Sequence, residues 1–222
     1  MGRVQAIYER AAKYKGGEAE LEKLLPTPKS KAELTATPDH RYLAGMTKCV
    51  FNSGFSWKVV EQKWPGFEEA FFGFEPRRVV ALNDEDLDEL TRNTAIVRHA
   101  KKILATRDNA RFVLDLAQEH GSAGEFFANW PSENIVGLWT LLKKRGNRLG
   151  GATGQYFLRF AGIDTPIMSR DVVNALIGEG VVDKNPTSQR DLAAVQAAFN
   201  DWQAESGRPL SAISRILAIS VG

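Results

Sequence analysis

Hydrophobic residues recur every three or four positions along most of the chain, which is the spacing of one face of an α-helix. Alternation with a period of two, which is typical of strands, is nearly absent. Stripes with the helical spacing are formed by Val4, Ile7, Tyr8, Ala11 and Ala12; Leu21, Leu24 and Leu25; Trp57, Val60 and Trp64; Ile96, Ile103, Ala110, Val113, Leu114 and Ala117; Ile135, Leu138, Trp139 and Leu142; Tyr156, Phe157 and Phe160; Leu192, Val195, Phe199 and Trp202; and Leu210, Ile213, Ile216 and Leu217. The pattern predicts an all-α protein.

Turn and capping residues predict where several helices begin and end. Prolines and polar residues over 26–38 indicate a connecting loop, and the helix after it is expected over residues 42–51. Asn83 is typical of an N-cap, because the acidic residues after it suit the positive end of a helix dipole. Ser122 and Glu125 have the spacing of a capping box.

Composition narrows the class of protein. The chain has 222 residues, of which 43% are hydrophobic and 25% charged, enough for one domain or two closely joined lobes. It has no apolar stretch of about 20 residues and no apolar signal core near its start, so we expect a cytoplasmic protein. Its single cysteine, Cys49, excludes an internal disulfide and an all-cysteine metal or iron–sulfur site. The three histidines show no metal-ligand spacing, so no cofactor and no metal are expected.

The charge distribution adds little by itself. A net charge of +2 does not identify a polyanionic partner, although basic residues cluster over 143–148 and acidic residues over 84–89. Solvated helix ends explain both clusters equally well.

The glycine-rich segment 143–156 joins two apolar helices by a short turn. Glycine lets a backbone turn tightly and approach a ligand, and the start of the second helix directs N–H groups and a positive dipole outward. Nearby lysine and arginine residues would attract a phosphate. The alternative is a plain αα-hairpin. The residues predicted to bind a phosphate are Arg148, Gly150, Gly151, Ala152, Thr153 and Gly154.

Three segments together resemble the DNA-3-methyladenine glycosylase I family. LKKRG at 142–146 with GATGQY at 151–156 resembles its helix-hairpin-helix, and GFSWKVV at 54–60 resembles its GLSW segment. Residues 67–79, followed by 96–103, resemble a third segment, and all three stand in the family's order.

The resemblance implies a two-lobed helix-hairpin-helix DNA glycosylase fold, with the active-site cleft between two helical subdomains. Residues 1–53 and 163–222 would form a discontinuous subdomain. Residues 54–162 would form the continuous one, which carries the helix-hairpin-helix. The partner would be damaged double-stranded DNA, bound by a monomer.

The candidate catalytic residue is a carboxylate after the hairpin helix. Breaking an N-glycosidic bond builds positive charge on the sugar, which a carboxylate stabilises while it orients or activates water. Asp171 matches the place of the catalytic aspartate in the wider helix-hairpin-helix superfamily, and Asp164 is the second candidate. Asp171 as a simple helix cap is the alternative. Gln155 matches the position of the lysine of bifunctional members and cannot form a Schiff base, so a monofunctional enzyme is implied.

A base must leave the duplex to react, and aromatic faces are its usual platform. By resemblance Trp57 is the stacking tryptophan; Phe51 and Tyr156 would complete the base pocket, and Phe55 would be the wedge that fills the gap in the duplex. The alternative for these rings is the hydrophobic core.

Two departures from the family limit what the resemblance implies. Cys49 stands where the family has the glutamate that reads 3-methyladenine, and the family's zinc-binding cysteines and histidines have no counterparts. Neither that specificity nor zinc is transferred.

The expected function is therefore a monofunctional DNA glycosylase that hydrolyses the N-glycosidic bond of an alkylated base in base excision repair. A non-catalytic DNA-binding module of the same fold is the first alternative. A helical interaction protein without affinity for nucleic acid is the second.

Overall fold

The computed structural model describes residues 2–222 and confirms the all-α class, since this range contains helices and no strand. The helices are α1 (Arg3–Lys15), α2 (Glu18–Glu22), α3 (Lys31–Ala36), α4 (Asp39–Asn52), α5 (Trp57–Gln62), α6 (Trp64–Ala70), α7 (Pro76–Val80), α8 (Asp84–Arg92), α9 (Ala100–His120), α10 (Ala123–Ala128), α11 (Ile135–Arg145), α12 (Ala152–Ala161), α13 (Arg170–Gly178), α14 (Gln189–Ser206) and α15 (Leu210–Ile219). Short 3₁₀ turns cover Phe72–Phe74 and Ser132–Asn134. None of the helices in residues 2–222 combines the length and hydrophobicity that crossing a bilayer requires.

The chain divides into two compact units. The terminal unit contains residues 2–29, 131–138 and 162–222, and the hairpin unit contains residues 30–130 and 139–161.

The hairpin unit is built around α4 and α9, which pack along each other, and α12 packs on α4. Aromatic rings fill the space between the helices: Phe127 lies 5.1 Å from Tyr42 and 5.6 Å from Phe157, between ring centroids. The hydroxyl of Tyr42 donates a 2.8 Å hydrogen bond to the carbonyl of Leu34, so this buried polar group is satisfied.

The terminal unit packs α1, α13 and α14 around α15, the most apolar of these helices. Leu210, Ile213 and Leu217 of α15 are fully buried. The segment before α13 is tied to the same helix, because the backbone N–H of Ile167 donates a 3.0 Å hydrogen bond to the hydroxyl of Ser214.

The structure differs from the predicted subdomain boundaries at residues 30–53. These residues belong to the hairpin unit, because α4 carries the buried Tyr42 and Phe51 into its core. The short stretch 131–138 belongs instead to the terminal unit, where the backbone N–H of Val136 donates a 2.8 Å hydrogen bond to Gln196.

Two helix predictions need correction. The predicted loop over residues 26–38 contains α3, whose start is fixed by a reciprocal capping box between Ser30 and Glu33. The long helix α9 begins at Ala100 and not near Ile96. The predicted N-cap at Asn83 is confirmed, with a capping box to Asp86.

A partly exposed ion pair in the terminal unit makes the stability of the fold depend on pH. The Arg208 guanidinium donates to the Glu22 carboxylate at 2.6 Å and the Tyr8 hydroxyl donates to it at 2.7 Å. The pKa of Glu22 lies below its ordinary value of 4.5, mainly because of the hydrogen bond from Arg208 and, to a smaller extent, the one from Tyr8. A lowered carboxylate pKa stabilises the fold above the unfolded-state value, and the contribution is lost as the pH falls through the folded-state value.

We expect Glu22→Gln to reduce the free energy of unfolding at pH 7 by up to about 1 kcal/mol, since the carboxylate is 45% exposed. Urea unfolding at pH 7 and at pH 3 measures the difference, which should shrink at the lower pH. Glu20→Gln is the control, because Glu20 pairs only with the exposed Lys23. Equal effects of both substitutions, or an effect of Glu22→Gln that grows in acid, would contradict this assignment.

Candidate active site

The hairpin consists of the end of α11, the turn over residues 146–151 and the start of α12. Gly151 and Arg148 both adopt left-handed backbone conformations, with φ of 58° and 62°. For Arg148 this conformation costs free energy, so the surrounding structure has to hold it in place. Arg148, Gly151 and Ala152 are exposed, and the first-turn N–H groups of α12 point along its axis toward them.

A buried asparagine of α9 holds the turn. The Asn109 side chain, which is fully buried, accepts a 2.8 Å hydrogen bond from the N–H of Asn147 and donates a 3.1 Å bond to its carbonyl. The side chain of Asn147 donates a further 2.6 Å bond to Asp108. Because both backbone groups of Asn147 are fixed, the peptide that leads into Arg148 is held in place.

The glycines of the turn have different physical roles. A Cβ on Gly154 would lie 2.2 Å from the carbonyl oxygen of Leu149, so glycine at this buried position allows the turn to pack on α12. Gly151 has open space around it and needs glycine only for its positive φ. Phosphate contact by residues 148–154 stays a prediction, and the exposed part of that segment is 148, 151 and 152.

The basic cluster is smaller than the sequence indicates. Arg145 makes two hydrogen bonds of 2.6 and 2.8 Å to the Glu119 carboxylate. These bonds raise the pKa of Arg145 and lower that of Glu119. The exposed cations at the hairpin are Lys143, Lys144 and Arg148.

Three partly exposed aromatic rings form a cluster beside the hairpin. Trp57 is 49% exposed and makes edge contacts with Tyr156 at 5.7 Å and with Phe160 at 5.4 Å, between ring centroids. Tyr156 and Phe160 lie on one face of α12, since they are four residues apart. The structure therefore brings together the predicted Trp57 and Tyr156.

Phe51, which was predicted to complete the base pocket, does not join this cluster. Its ring is fully buried and packs edge-on against Phe67 at 4.6 Å, so it belongs to the core. Phe160 takes its place in the cluster, and its spacing of four from Tyr156 was the sequence signal for it.

Two cavities open against the Trp57 ring. One has a volume of about 130 Å³, and the other has about 300 Å³, the lower end of the range for small-molecule sites. Cys49, Asn52 and Trp57 line both of them. Burial raises the pKa of the Cys49 thiol to about 12, so this side chain is uncharged at neutral pH.

Residues 53–56, which carry the predicted wedge Phe55 and are called the wedge loop here, contact a buried lysine of α9. Phe55 is 38% exposed, and its ring covers the Lys102 ammonium at 4.5 Å. Lys102 is only 4% exposed and donates to the carbonyls of Phe51, at 3.2 Å, and Ser53. Burial, and then the charge of Arg148, lowers the pKa of Lys102. These bonds fix the carbonyls at the end of α4.

Lys102 and Asn109 were not among the predicted site residues, although the sequence carries a signal for both. Lys102, Thr106 and Asn109 follow one another at spacings of four and three, inside the apolar stripe of α9. Polar residues at core positions need partners, and here those partners are the backbone groups of the two functional loops.

The two candidate carboxylates have different environments in the terminal unit. Asp164 accepts hydrogen bonds from the N–H groups of Leu210, at 2.9 Å, and Ser211, at 2.8 Å, so it anchors the start of α15. Asp171 lies exposed in the first turn of α13. The cap of that helix is Ser169, which accepts from the N–H of Val172 at 3.3 Å, so Asp171 is not the N-cap.

The residues of the chain do not fit the zinc site implied by the family. In residues 2–222 no three histidine, cysteine or acidic side chains are grouped as metal ligands would be. The one cysteine is buried with its proton retained.

Comparison with known proteins gives the hairpin unit a counterpart. Residues 36–157, more than half of the chain, match the family described as methyladenine glycosylase. A stretch of 66 residues is 36% identical to DNA-3-methyladenine glycosylase 1 of Escherichia coli (strain K12) and covers 30% of this chain. The matched stretch spans only 35% of the length of that relative.

Two solved structures share the fold. A crystal structure of 3-methyladenine DNA glycosylase I is 25% identical, with a TM-score of 0.51, over 63% of this chain and 83% of that one. The Methanocaldococcus jannaschii 8-oxoguanine glycosylase/lyase, solved with DNA containing 8-oxoguanine, is 16% identical with a TM-score of 0.53. The match covers 96% of this chain and 95% of that one, and at this low sequence identity it shows a shared fold alone.

The contact between Asn109 and Asn147 generates a stability prediction. Asn109→Ala leaves the N–H and carbonyl of Asn147 without these partners, so we expect the free energy of unfolding to fall by about 1–3 kcal/mol. Urea unfolding checks it, with Asn129→Ala as the matched control, because Asn129 bonds only within its own helix turn near the surface. If the two variants are equally stable, the turn does not depend on Asn109.

Proposed function

The chain belongs to the methyladenine glycosylase family, and on this premise we propose that it is a monofunctional DNA glycosylase acting on an alkylated base. The observation that carries the proposal is a juxtaposition inside one unit. The hairpin with its exposed cations and the aromatic cavities at Trp57 share α12, which supplies both the phosphate-facing N-terminus and Tyr156.

In the proposed mechanism, the hairpin holds the DNA backbone. The N-terminus of α12 directs N–H groups at a phosphate, and Lys143, Lys144 and Arg148 supply positive charge close to the turn. Phe55 enters the duplex where the damaged nucleotide leaves it, and the extruded base stacks on Trp57.

In the next step, Asp171 stabilises the positive charge that develops on the sugar. Its carboxylate is exposed in the first turn of α13, and it is not used to cap the helix. A negative charge there would stabilise the oxocarbenium-like transition state and orient a water molecule. Alkylated purines carry positive charge and leave readily, so modest catalysis is sufficient. Gln155 has no amine, so the product is an abasic site without strand cleavage.

A non-catalytic DNA-binding module is the second candidate, and one observation favours it. The position of the family's pocket glutamate is taken by the uncharged thiol of Cys49. A protein that lacked the side chain that recognises the damaged base, but kept the hairpin, would bind DNA without releasing a base.

The test is base release from methylated duplex DNA, followed by chromatography of the released bases. We expect the wild type to release a methylated purine and Asp171→Asn to release it at least about 100-fold more slowly, the lower end for a positioned acid or base. Asp183→Asn is the control, because it removes another exposed carboxylate of the same unit.

Equal rates for wild type and Asp171→Asn would remove Asp171 from the mechanism. Salt-dependent DNA binding without any base release would favour the non-catalytic module. Absence of both would contradict the proposed function altogether.

A further inference from the structure

One buried polar atom at the cavities lacks a partner. Asn52 is only 8% exposed, and its Oδ1 atom makes no hydrogen bond within the described residues. Asn52 lines both cavities beside Trp57. A buried acceptor without a donor is costly, so a ligand that brings a donor to the Asn52 side chain would remove that cost.

The backbone around Asn52 is held rigidly. Lys102 donates to the carbonyls on either side of it, those of Phe51 and Ser53. The N–H of Phe55 bonds to the carbonyl of Asn52 itself at 3.3 Å. Because α4 ends at this point and its last carbonyls are fixed, the side chain of Asn52 starts from a fixed position at the cavity wall.

The cavity walls carry little net charge. Among the described side chains that line the two cavities, only Lys48 and Glu61 are charged, and they pair with each other at 2.5 Å. Cys49 is a neutral thiol one helical turn before Asn52, so the two side chains lie on the same face of α4. An extruded base would therefore meet the uncharged amide of Asn52 and the uncharged thiol of Cys49. A carboxylate at either position would instead attract a cationic base.

We propose that the carboxamide of Asn52 is the specificity-determining group that reads the edge of the extruded base, by an uncharged donor–acceptor match. An amide suits a base edge that presents an N–H donor next to an acceptor nitrogen or oxygen. The pocket would then select a base by shape and hydrogen bonding, without preference for a positive charge on it. This inference rests on the proposed function, since it assumes that these cavities receive a base.

Binding of free bases tests the inference separately from catalysis. Isothermal titration calorimetry would compare 3-methyladenine, which is neutral, with 3,9-dimethyladeninium, which is a permanent cation of similar shape. The variants are Asn52→Ala, Asn52→Asp as an isosteric change that adds a negative charge, and Asn129→Ala as a surface asparagine control in the same unit.

We expect Asn52→Ala to bind 3-methyladenine about tenfold more weakly, the effect of one lost hydrogen bond. Asn52→Asp should raise the affinity for the cation relative to the neutral base by about tenfold, because a charge-assisted hydrogen bond replaces a neutral one. Circular dichroism of each variant verifies the fold. If Asn52→Ala is unfolded, the comparison of wild type with Asn52→Asp still tests the inference.

Three results would overturn the inference: unchanged binding of 3-methyladenine by Asn52→Ala, a wild type that already prefers the cation by about tenfold, or a wild type that binds neither base. Base release from methylated DNA, measured in parallel, separates the two claims. Release by the wild type with Asn52-independent binding defeats only the role of Asn52. Asn52-dependent binding without release defeats only the proposed catalysis.

Discussion

The need to satisfy polar groups buried in α9 governs the geometry of the candidate site. Lys102 and Asn109 lie within the apolar face of this helix, and their partners are the backbone groups of the wedge loop and of the hairpin turn. The two residues are seven positions apart, which is about 10 Å along a helix. One rigid helix therefore sets the spacing between the loop that would enter the duplex and the turn that would hold its backbone.

The same constraint explains how the family resemblance and its departures fit together. In this chain α9 supports the wedge loop and the hairpin turn, and α12 carries the ring that Trp57 contacts. The wall of the two cavities beside Trp57 carries the uncharged side chains of Cys49 and Asn52.

The sequence predicted the helical class and the hairpin, because periodicity and glycine spacing are local signals. The family resemblance, and not periodicity, placed Trp57 and Tyr156 in one pocket. Phe51, which the resemblance assigned to the pocket, lies in the core because its side of α4 faces Phe67. The helix α3 was missed although Ser30 and Glu33 have capping-box spacing. Lys102 and Asn109 escaped because their partners are backbone groups about 40 to 50 residues away in sequence.

The proposed catalysis requires this chain to stabilise positive charge on the sugar of an extruded nucleotide. The most direct measurement compares binding to duplexes that carry either a pyrrolidine abasic analogue, which is cationic like the transition state, or neutral tetrahydrofuran. We expect tighter binding of the pyrrolidine duplex by the wild type, and loss of that preference in Asp171→Asn. Equal affinity of the wild type for both duplexes, or a preference that survives the substitution, would contradict it.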